Sequence, residues 1–414
     1  MAAETDKEAP GSLTCLGKIV ILIFILASAG GAYYFLMQNR GGGAGNSTGS
    51  SASTGTNAGT GIAPTGGNSG PAVEIGIAYG TEKKEWLKWS VDQFAQAPEG
   101  KNIKVNLLPF GSLEGAQAIV KGNEKINVWS PASAMYKDTF VQNWQLNHAD
   151  SPIFKEEALA LTPMVFVMWE ERYQAYLQKY KVLTFKTIAD ALQEKGGWET
   201  IAQKPEWGMF KFGHTHPNES NSGLATLLLM AHEYQGKAKR LEVRDITNAQ
   251  FQTWMQTLER GVTGLSNSTG TMMRDMILKG PSSYDVVFVY ENVAIENLKN
   301  AQGRWGSLRV IYPEFNMWND HPYYILNTPW TTPEKRAAAE AFLQFLQKEE
   351  IQREALVHGF RPGNLAVSIK GAESPFTLGQ KFGISIDLTT VVEPPKADVI
   401  DNLLTSWQRS QAGR

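Results

Sequence analysis

GMFKFGHTHPNESNSGLATLLLMAHEY, residues 208–234, is the stretch whose reading decides the fold. Gly208 to Phe212, just after Trp207, reads as a strand. Leu224 to Tyr234 carries the dense apolar pattern of a packed helix. Between them, Gly213–Gly223 is a loop of small and polar residues that joins a strand's carboxyl end to a helix start. In open α/β sheets that join is where ligands are held. The first backbone N–H groups of a helix have no partner within it, and its dipole is positive there.

The same join recurs on both sides of this stretch. Val73 to Tyr79 alternates as a strand and turns at Gly80-Thr81 into a helix over Glu82–Gln96. Ile103–Phe110 is a second strand, and Gly111-Ser112 opens a helix through Val120. Ile126–Trp129 is a third, followed by Ser130-Pro131-Ala132-Ser133. Leu159–Trp169 is a long apolar strand with Thr162-Pro163 near its start, and a proline inside a strand marks an edge, a bulge or a crossing. Asp285–Tyr290 (DVVFVY) ends at Glu291-Asn292. Leu308–Tyr312 and Tyr323–Asn327 are strands that can return to the first half, and the last helix spans about Ala397–Gln411. One serine at such a join is usually only a helix cap. Five joins (Gly80-Thr81, Gly111-Ser112, Ser130–Ser133, Ser220–Gly223 and Glu291-Asn292) spread over both halves point to a shared cleft. No internal sequence repeat is visible.

The chain of 414 residues is long enough for two compact lobes. A formal net charge of −2, with basic residues scattered, gives no field to recruit nucleic acid. The one cysteine, Cys15, precedes the first apolar run, so the folded part has neither disulfide nor thiolate chemistry.

Residues 1–18 form a short tail. Residues 19–37, opening IVILIFIL, are apolar for about the length that spans a bilayer. Two readings stay open: an uncleaved transmembrane signal anchor, or a signal peptide cut after Ala29 in Ala27-Ser28-Ala29. The aromatic residues beyond that site, Tyr33, Tyr34 and Phe35, favour the anchor. Cys15 lies on the wrong side for a lipoprotein signal. Residues 41–70 are almost pure Gly, Ser, Thr, Asn and Ala, the composition of a flexible tether with a reach of about 30 Å.

The order of elements, with GHTHPNESNSG at 213–223 and HGFRPGN at 358–364, resembles bacterial extracellular solute-binding proteins of the type II periplasmic fold. The likeness is to the branch of molybdate, sulfate and iron receptors and of solute-binding domains found beside von Willebrand A domains. It implies an α/β fold over 73–414 with two Rossmann-like lobes joined by crossing strands. Lobe 1 would take about 73–160 and 305–414, and lobe 2 about 163–300. The crossings would lie near Thr162-Pro163 and near Asp285–Asn292 or a neighbouring segment. The resemblance carries the ligand contacts to Gly80, Thr81, Gly111, Ser112, Ser130 and Ser133 of the first lobe. Thr162 would join them at the crossing, with Asn218, Ser220, Ser222 and Gly223 of the second lobe, Tyr290 and Glu291 facing, and Arg361 by the cleft or hinge. The paired tyrosines of an iron receptor are not convincingly placed, since Tyr323-Tyr324 alternate faces in a strand.

Sharper chemistries compete with plainer ones. His214-x-His216 with Glu219 and His232-Glu233 can be read as a metal site or as loop histidines that shape the cleft, and no metal is assigned. Ser220, Ser222 and Gly223 can cradle an anion or simply cap a helix. Glu219 and Glu291 would oppose an anion. Arg361 can pair with a ligand or with a structural carboxylate. Trp129 is the best-placed tryptophan for stacking on a ligand, whereas Trp86, Trp89 and Trp254 have core spacing. There is no G-x-S-x-G elbow, no H-E-x-x-H and no phosphate-loop lysine, so no enzyme, catalytic residue or cofactor is expected. The expectation is a receptor outside the cytoplasm, held on the membrane by its N-terminal helix, that captures a small molecule for a permease. The alternative is a tethered sensor or interaction module for an envelope protein on the same fold.

Overall fold

The computed structural model describes residues 72–388 and 390–411. The apolar segment 19–37 and the tether 41–70 lie outside the described residues. Among the described residues, no helix is long and apolar enough to cross a membrane.

Among the described residues, fourteen strands follow in chain order: β1 (Val73–Tyr79), β2 (Ile103–Pro109), β3 (Val128–Ser130), β4 (Ile153–Ala158), β5 (Ala160–Leu161), β6 (Met164–Trp169), β7 (Phe212–Thr215), β8 (Val262–Ser266), β9 (Val286–Tyr290), β10 (Leu308–Ile311), β11 (Phe315–Asn316), β12 (Pro322–Leu326), β13 (Arg361–Pro362) and β14 (Thr390–Val391). Ten of them build two five-stranded sheets, ordered β2-β1-β3-β12-β4 and β10-β6-β9-β7-β8. In the first, β1 runs parallel to β2 and β3, while β12 is antiparallel to β3 and β4. In the second, β7 is parallel to β8 and β9, while β6 is antiparallel to β9 and β10. The two sheets thus repeat one wiring, although the sequence shows no repeat. Each begins with three parallel strands whose carboxyl ends feed helices, which is the geometry that makes ligand-binding crevices.

Burial explains the composition of the strands. Every residue of β6 (MVFVMW) and β9 (VVFVY) is buried, because helices cover both faces of the second sheet. The helix Asn221–Gln235 is buried from Asn221 through His232, so its apolar residues surround it instead of forming a stripe.

Several boundaries differ from the sequence reading. The strand expected at 208–212 is Phe212–Thr215, because the ladder to β9 starts only where Lys211 O accepts from Asp285 N and Val286 N. Gly208, at φ +70°, ends a short 3-10 turn instead. The next helix starts at Asn221, three residues before Leu224. Pro163, which has no N–H to donate, divides the expected 159–169 strand into β5 and β6.

The lobe assignment also changes. The chain leaves the first sheet through Leu159–Pro163 and returns through Tyr312–His321, where Thr162 and Asn319 exchange backbone hydrogen bonds of 3.0 and 2.9 Å. Asp285–Tyr290 is not a crossing; it leads into and forms β9, the centre of the second sheet. β10 belongs to the second sheet, since Leu308 pairs with Trp169. The last helix, Ala397–Gln411, packs on the second-lobe helices Asn221–Gln235, Val243–Ile246 and Ala249–Arg260 and not on the first lobe. Its anchor is Trp407, whose indole N–H donates to the buried Glu259 carboxylate at 2.7 Å.

Candidate functional site

The first-lobe turns sit where the sequence places them, and each does something different. Gly80 N donates to Ser130 O at 3.2 Å and closes the ends of β1 and β3 together. A Cβ on Gly80 would lie 2.4 Å from the Glu82 carboxylate, so glycine lets Glu82 fold back over the turn. Ser112 Oγ accepts from Ala132 N at 3.1 Å, and Ser133 Oγ accepts from Met135 N at 3.3 Å. The first hydroxyl therefore ties the Gly111-Ser112 turn to the Ser130–Ser133 turn, and the second serves its own turn. Ser130 Oγ is fully buried and has no protein partner.

The second-lobe loop is organised around Ser222. Its Oγ lies 2.6 Å from both Thr215 Oγ1 and Thr269 Oγ1, and 3.1 Å from Ser220 Oγ. Gly223 packs directly under β7: a Cβ there would meet Thr215 O at 2.3 Å. Ser220, Ser222 and Gly223 thus knit the loop to its own lobe. Asn218 Oδ1, in the same loop, has no partner. The residue that reaches across is Asn221, which the sequence reading did not single out. Its Nδ2 donates to Tyr290 OH and to Asn319 Oδ1, both at 2.8 Å, and its Oδ1 is left over.

The crossing supplies the floor. Asn319 Nδ2 donates to Thr162 O at 3.2 Å, and Thr162 Oγ1 accepts from Asn292 N at 3.2 Å. Asn292 Nδ2 donates to Glu82 O, also at 3.2 Å, which leaves Asn292 Oδ1 buried without a partner. Glu82 and Lys83 had no distinguishing signal in the sequence, yet they meet His321 here. Lys83 Nζ, fully buried, donates to Glu82 Oε1 (2.7 Å) and Pro131 O (3.2 Å), and His321 Nδ1 lies 3.3 Å from both Lys83 Nζ and Glu82 Oε1. Burial raises the Glu82 carboxyl, but Lys83 and His321 outweigh it and bring it down to about 2. Burial and then the Lys83 charge hold His321 below its ordinary value, so the ring is neutral and its Nε2 is unpartnered. Tyr290 stands 6.1 Å from the His321 ring, and burial pushes the Tyr290 and Tyr136 phenols up, so both stay protonated.

Glu291 and Arg361 are committed to one another instead of to a cleft. Arg361 Nε and Nη2 each donate to Glu291 at 2.8 Å, and its remaining donors go to Ser385 O and Ile386 O. Trp129 is core: its ring stacks on Tyr324 at 5.2 Å and its N–H donates to Ser112 O. The histidines do not converge. His214 contacts Glu259 and Thr215 O, His232 contacts Lys237 O, and His216 Nδ1 accepts from Asn218 N. Among the described residues, no group of three His, Cys, Asp or Glu can hold a metal.

The lobes touch over this junction. Thr81 Oγ1 and Ser268 Oγ are 3.0 Å apart across the cleft, and Gly111 lies so close to the second lobe that a Cβ would fall 2.4 Å from Glu219 O. A separate cavity of about 880 Å³ opens on the β1–β2 edge around Glu74, Lys88, Asp92 and Lys335, but it includes none of the strand-to-helix turns.

Solved structures share this architecture. A periplasmic thiamin binding protein aligns at a TM-score of 0.56 with 12% identity, over 84% of this chain and 99% of its own. Iron-bound HitA from Pseudomonas aeruginosa aligns at 0.54 with 14% identity, over 82% and 99%. The sulfate-binding protein SubI from Mycobacterium tuberculosis H37Rv aligns at 0.51 with 16% identity, over 82% and 99%. At these identities the likeness is one of fold. No curated protein matches the chain. The family described as bacterial extracellular solute-binding protein matches residues 75–361, from β1 to the start of β13 and so across both sheets. The chain belongs to the bacterial extracellular solute-binding proteins.

Proposed function

We propose that the protein is an extracytoplasmic receptor that closes its two lobes on a small polar solute and presents it to an ABC-type permease. The observation that carries this reading is a set of buried polar atoms without protein partners at the lobe junction. Ser130 Oγ comes from the first lobe, Asn221 Oδ1 and Asn292 Oδ1 from the second, and His321 Nε2 from the return crossing. One network links them. Asn221 bonds Tyr290, Tyr290 faces His321, His321 meets Lys83, and Lys83 reaches the carbonyl next to Ser130. Leaving one such group unsatisfied costs about 1–3 kcal/mol, so several at one junction mark a place where a solute supplies the missing bonds. Thr81, Ser130, Asn218 and Tyr290 remain ligand-facing assignments in this reading.

The composition of residues 19–37 and 41–70 supports a membrane anchor followed by a tether, with the receptor domain outside the cytoplasm. The test is small-angle scattering and thermal melting of the full chain against a solute panel. A ligand that binds only the native state raises Tm with concentration. A dose-dependent rise in Tm with a fixed or smaller radius of gyration is expected; a melt indifferent to every solute would remove the receptor reading.

A further inference from the structure

The junction's hydrogen-bonding polarity can be read atom by atom, because backbone carbonyls fix it. A carbonyl oxygen only accepts, so the group facing it must be a donor. Thr162 O therefore takes Asn319 Nδ2, which turns Asn319 Oδ1 toward Asn221. Asn221 must answer with Nδ2, and its Oδ1 is left over as an acceptor. By the same logic Glu82 O takes Asn292 Nδ2, and Asn292 Oδ1 is left over as a second acceptor. Asn221 is 3% exposed and Asn292 not at all. These amide orientations follow from obligate partners and not from choice.

Lys83 Nζ donates to Glu82 Oε1 and Pro131 O. His321 Nδ1 stands 3.3 Å from both Lys83 Nζ and Glu82 Oε1, so its unpartnered Nε2 gives or takes according to the tautomer. Ser130 Oγ can give and take. The junction therefore offers two acceptors, with a ring nitrogen and a hydroxyl of either sense.

Its cations are already matched: Lys83 faces Glu82 and Arg361 faces Glu291, while the Asp320 carboxylate accepts from Ala134 N at 2.8 Å. An acceptor-only oxyanion would confront two amide oxygens and find both cations occupied, at the cost of burying an unpaired charge. A cationic ligand would sit against the Lys83 ammonium.

Resting on the receptor reading above, we infer that the solute is an uncharged molecule bearing both donors and acceptors, of the polyhydroxyl or carboxamide class, held by Asn221, Asn292, His321 and Ser130. It is not an oxyanion, an amine or a ferric ion.

Isothermal titration of the full chain decides this. The probes are ribose, inositol and maltose for hydroxyls, urea and nicotinamide for amides, and sulfate, molybdate, phosphate, putrescine and ferric ion for the rejected classes. The expected result is binding in a hydroxyl or amide arm, weakened at least tenfold in Ser130→Ala. That variant removes a hydroxyl with no protein partner, so its Tm without ligand stays within a degree or two of the parent. Asn221→Ala, whose loss also cuts the link to Asn319, weakens binding further. Sulfate, molybdate, phosphate, putrescine or ferric ion binding in a way that Ser130→Ala or Asn221→Ala reduces would overturn the ligand class while keeping the receptor. Binding of a neutral probe unaffected by either variant would also overturn it. Silence from every probe, in a chain that still melts cooperatively, removes the receptor reading and this inference with it.

Discussion

Arg361 grips Glu291 from β13, the short strand paired with β5 at the first crossing, with Nε to Oε2 and Nη2 to Oε1 both at 2.8 Å. The carboxylate is fully buried at the start of the helix Glu291–Ala301 and also accepts from Tyr312. Burial raises the Glu291 carboxyl even against this pairing. The bidentate pair therefore ties β13, beside the first crossing, to the helix that follows β9, and it contributes geometry more than net energy. Breaking it from one side leaves a buried charge uncompensated. Arg361→Ala should cost about 3–5 kcal/mol in urea unfolding. Arg361→Met with Glu291→Leu should recover most of that loss; no recovery would mean that the pair is not what the single variant disturbs.

The Glu82–Lys83–His321 cluster gives stability a pH dependence with a definite sign. His321 is held below its ordinary value, so the unfolded chain takes up a proton first as pH falls. Its contribution is intact above an unfolded value of about 6.5 and drains away below it. Glu82, brought from 4.5 to about 2, adds a second loss as pH falls from 4.5 toward 2, on the order of 3 kcal/mol. His216 and His232, also lowered, act as His321 does, while His358 is raised by Glu296 and acts oppositely. The difference between wild type and His321→Gln isolates one site. The parent's unfolding free energy should fall more than the variant's between pH 7.5 and 5.5; parallel curves would show that His321 titrates alike in both states.

The parts of this fold written in local pattern were legible. The apolar runs at 164–169 and 286–290 announced buried strands, and Gly80-Thr81, Gly111-Ser112 and Ser130–Ser133 marked the turns that the structure places at the first-lobe joins. The site's working atoms were not legible, because their roles depend on distant partners. Asn221 acquires its role from Asn319, 98 positions away, and Lys83 from His321, 238 positions away. A lysine beside a glutamate at a helix start reads as a solvated pair; only the fold shows it fully buried. Ser222 and Arg361 each allowed two readings by type, and in the structure the side-chain bonds of Ser222 go to Thr215 and Thr269 and those of Arg361 to the Glu291 carboxylate.

Closure should be separable from folding at Gly111. Its φ of −62° and ψ of 153° suit any residue, so a side chain introduces no backbone strain. The obstacle is the opposite lobe, where a Cβ would stand 2.4 Å from Glu219 O. Gly111→Val should hold the lobes apart, with a larger radius of gyration and at least tenfold weaker solute binding. Its urea midpoint should stay near the parent's, since neither core is touched. A compact Gly111→Val that binds normally would mean that the loop moves aside and the contact does not gate closure.

The last helix tests where the second lobe ends. Trp407 is 2% exposed, donates to Glu259 Oε2 at 2.7 Å and meets the His216 ring edge-on at 4.9 Å. Glu259 in turn contacts His214, the third residue of β7, at 2.9 Å. The helix therefore braces the strand that leads into the Asn221 turn. Trp407→Ala removes the indole and one partner of a buried carboxylate, so a loss of about 3–5 kcal/mol is expected. Hydrogen exchange should localise the loosening. Amides of β7, β8 and the helix Ala249–Arg260 should exchange faster, while β1 and β2 keep their protection. Loosening of β1 and β2 instead would place the helix with the first lobe in solution, against the packing seen here.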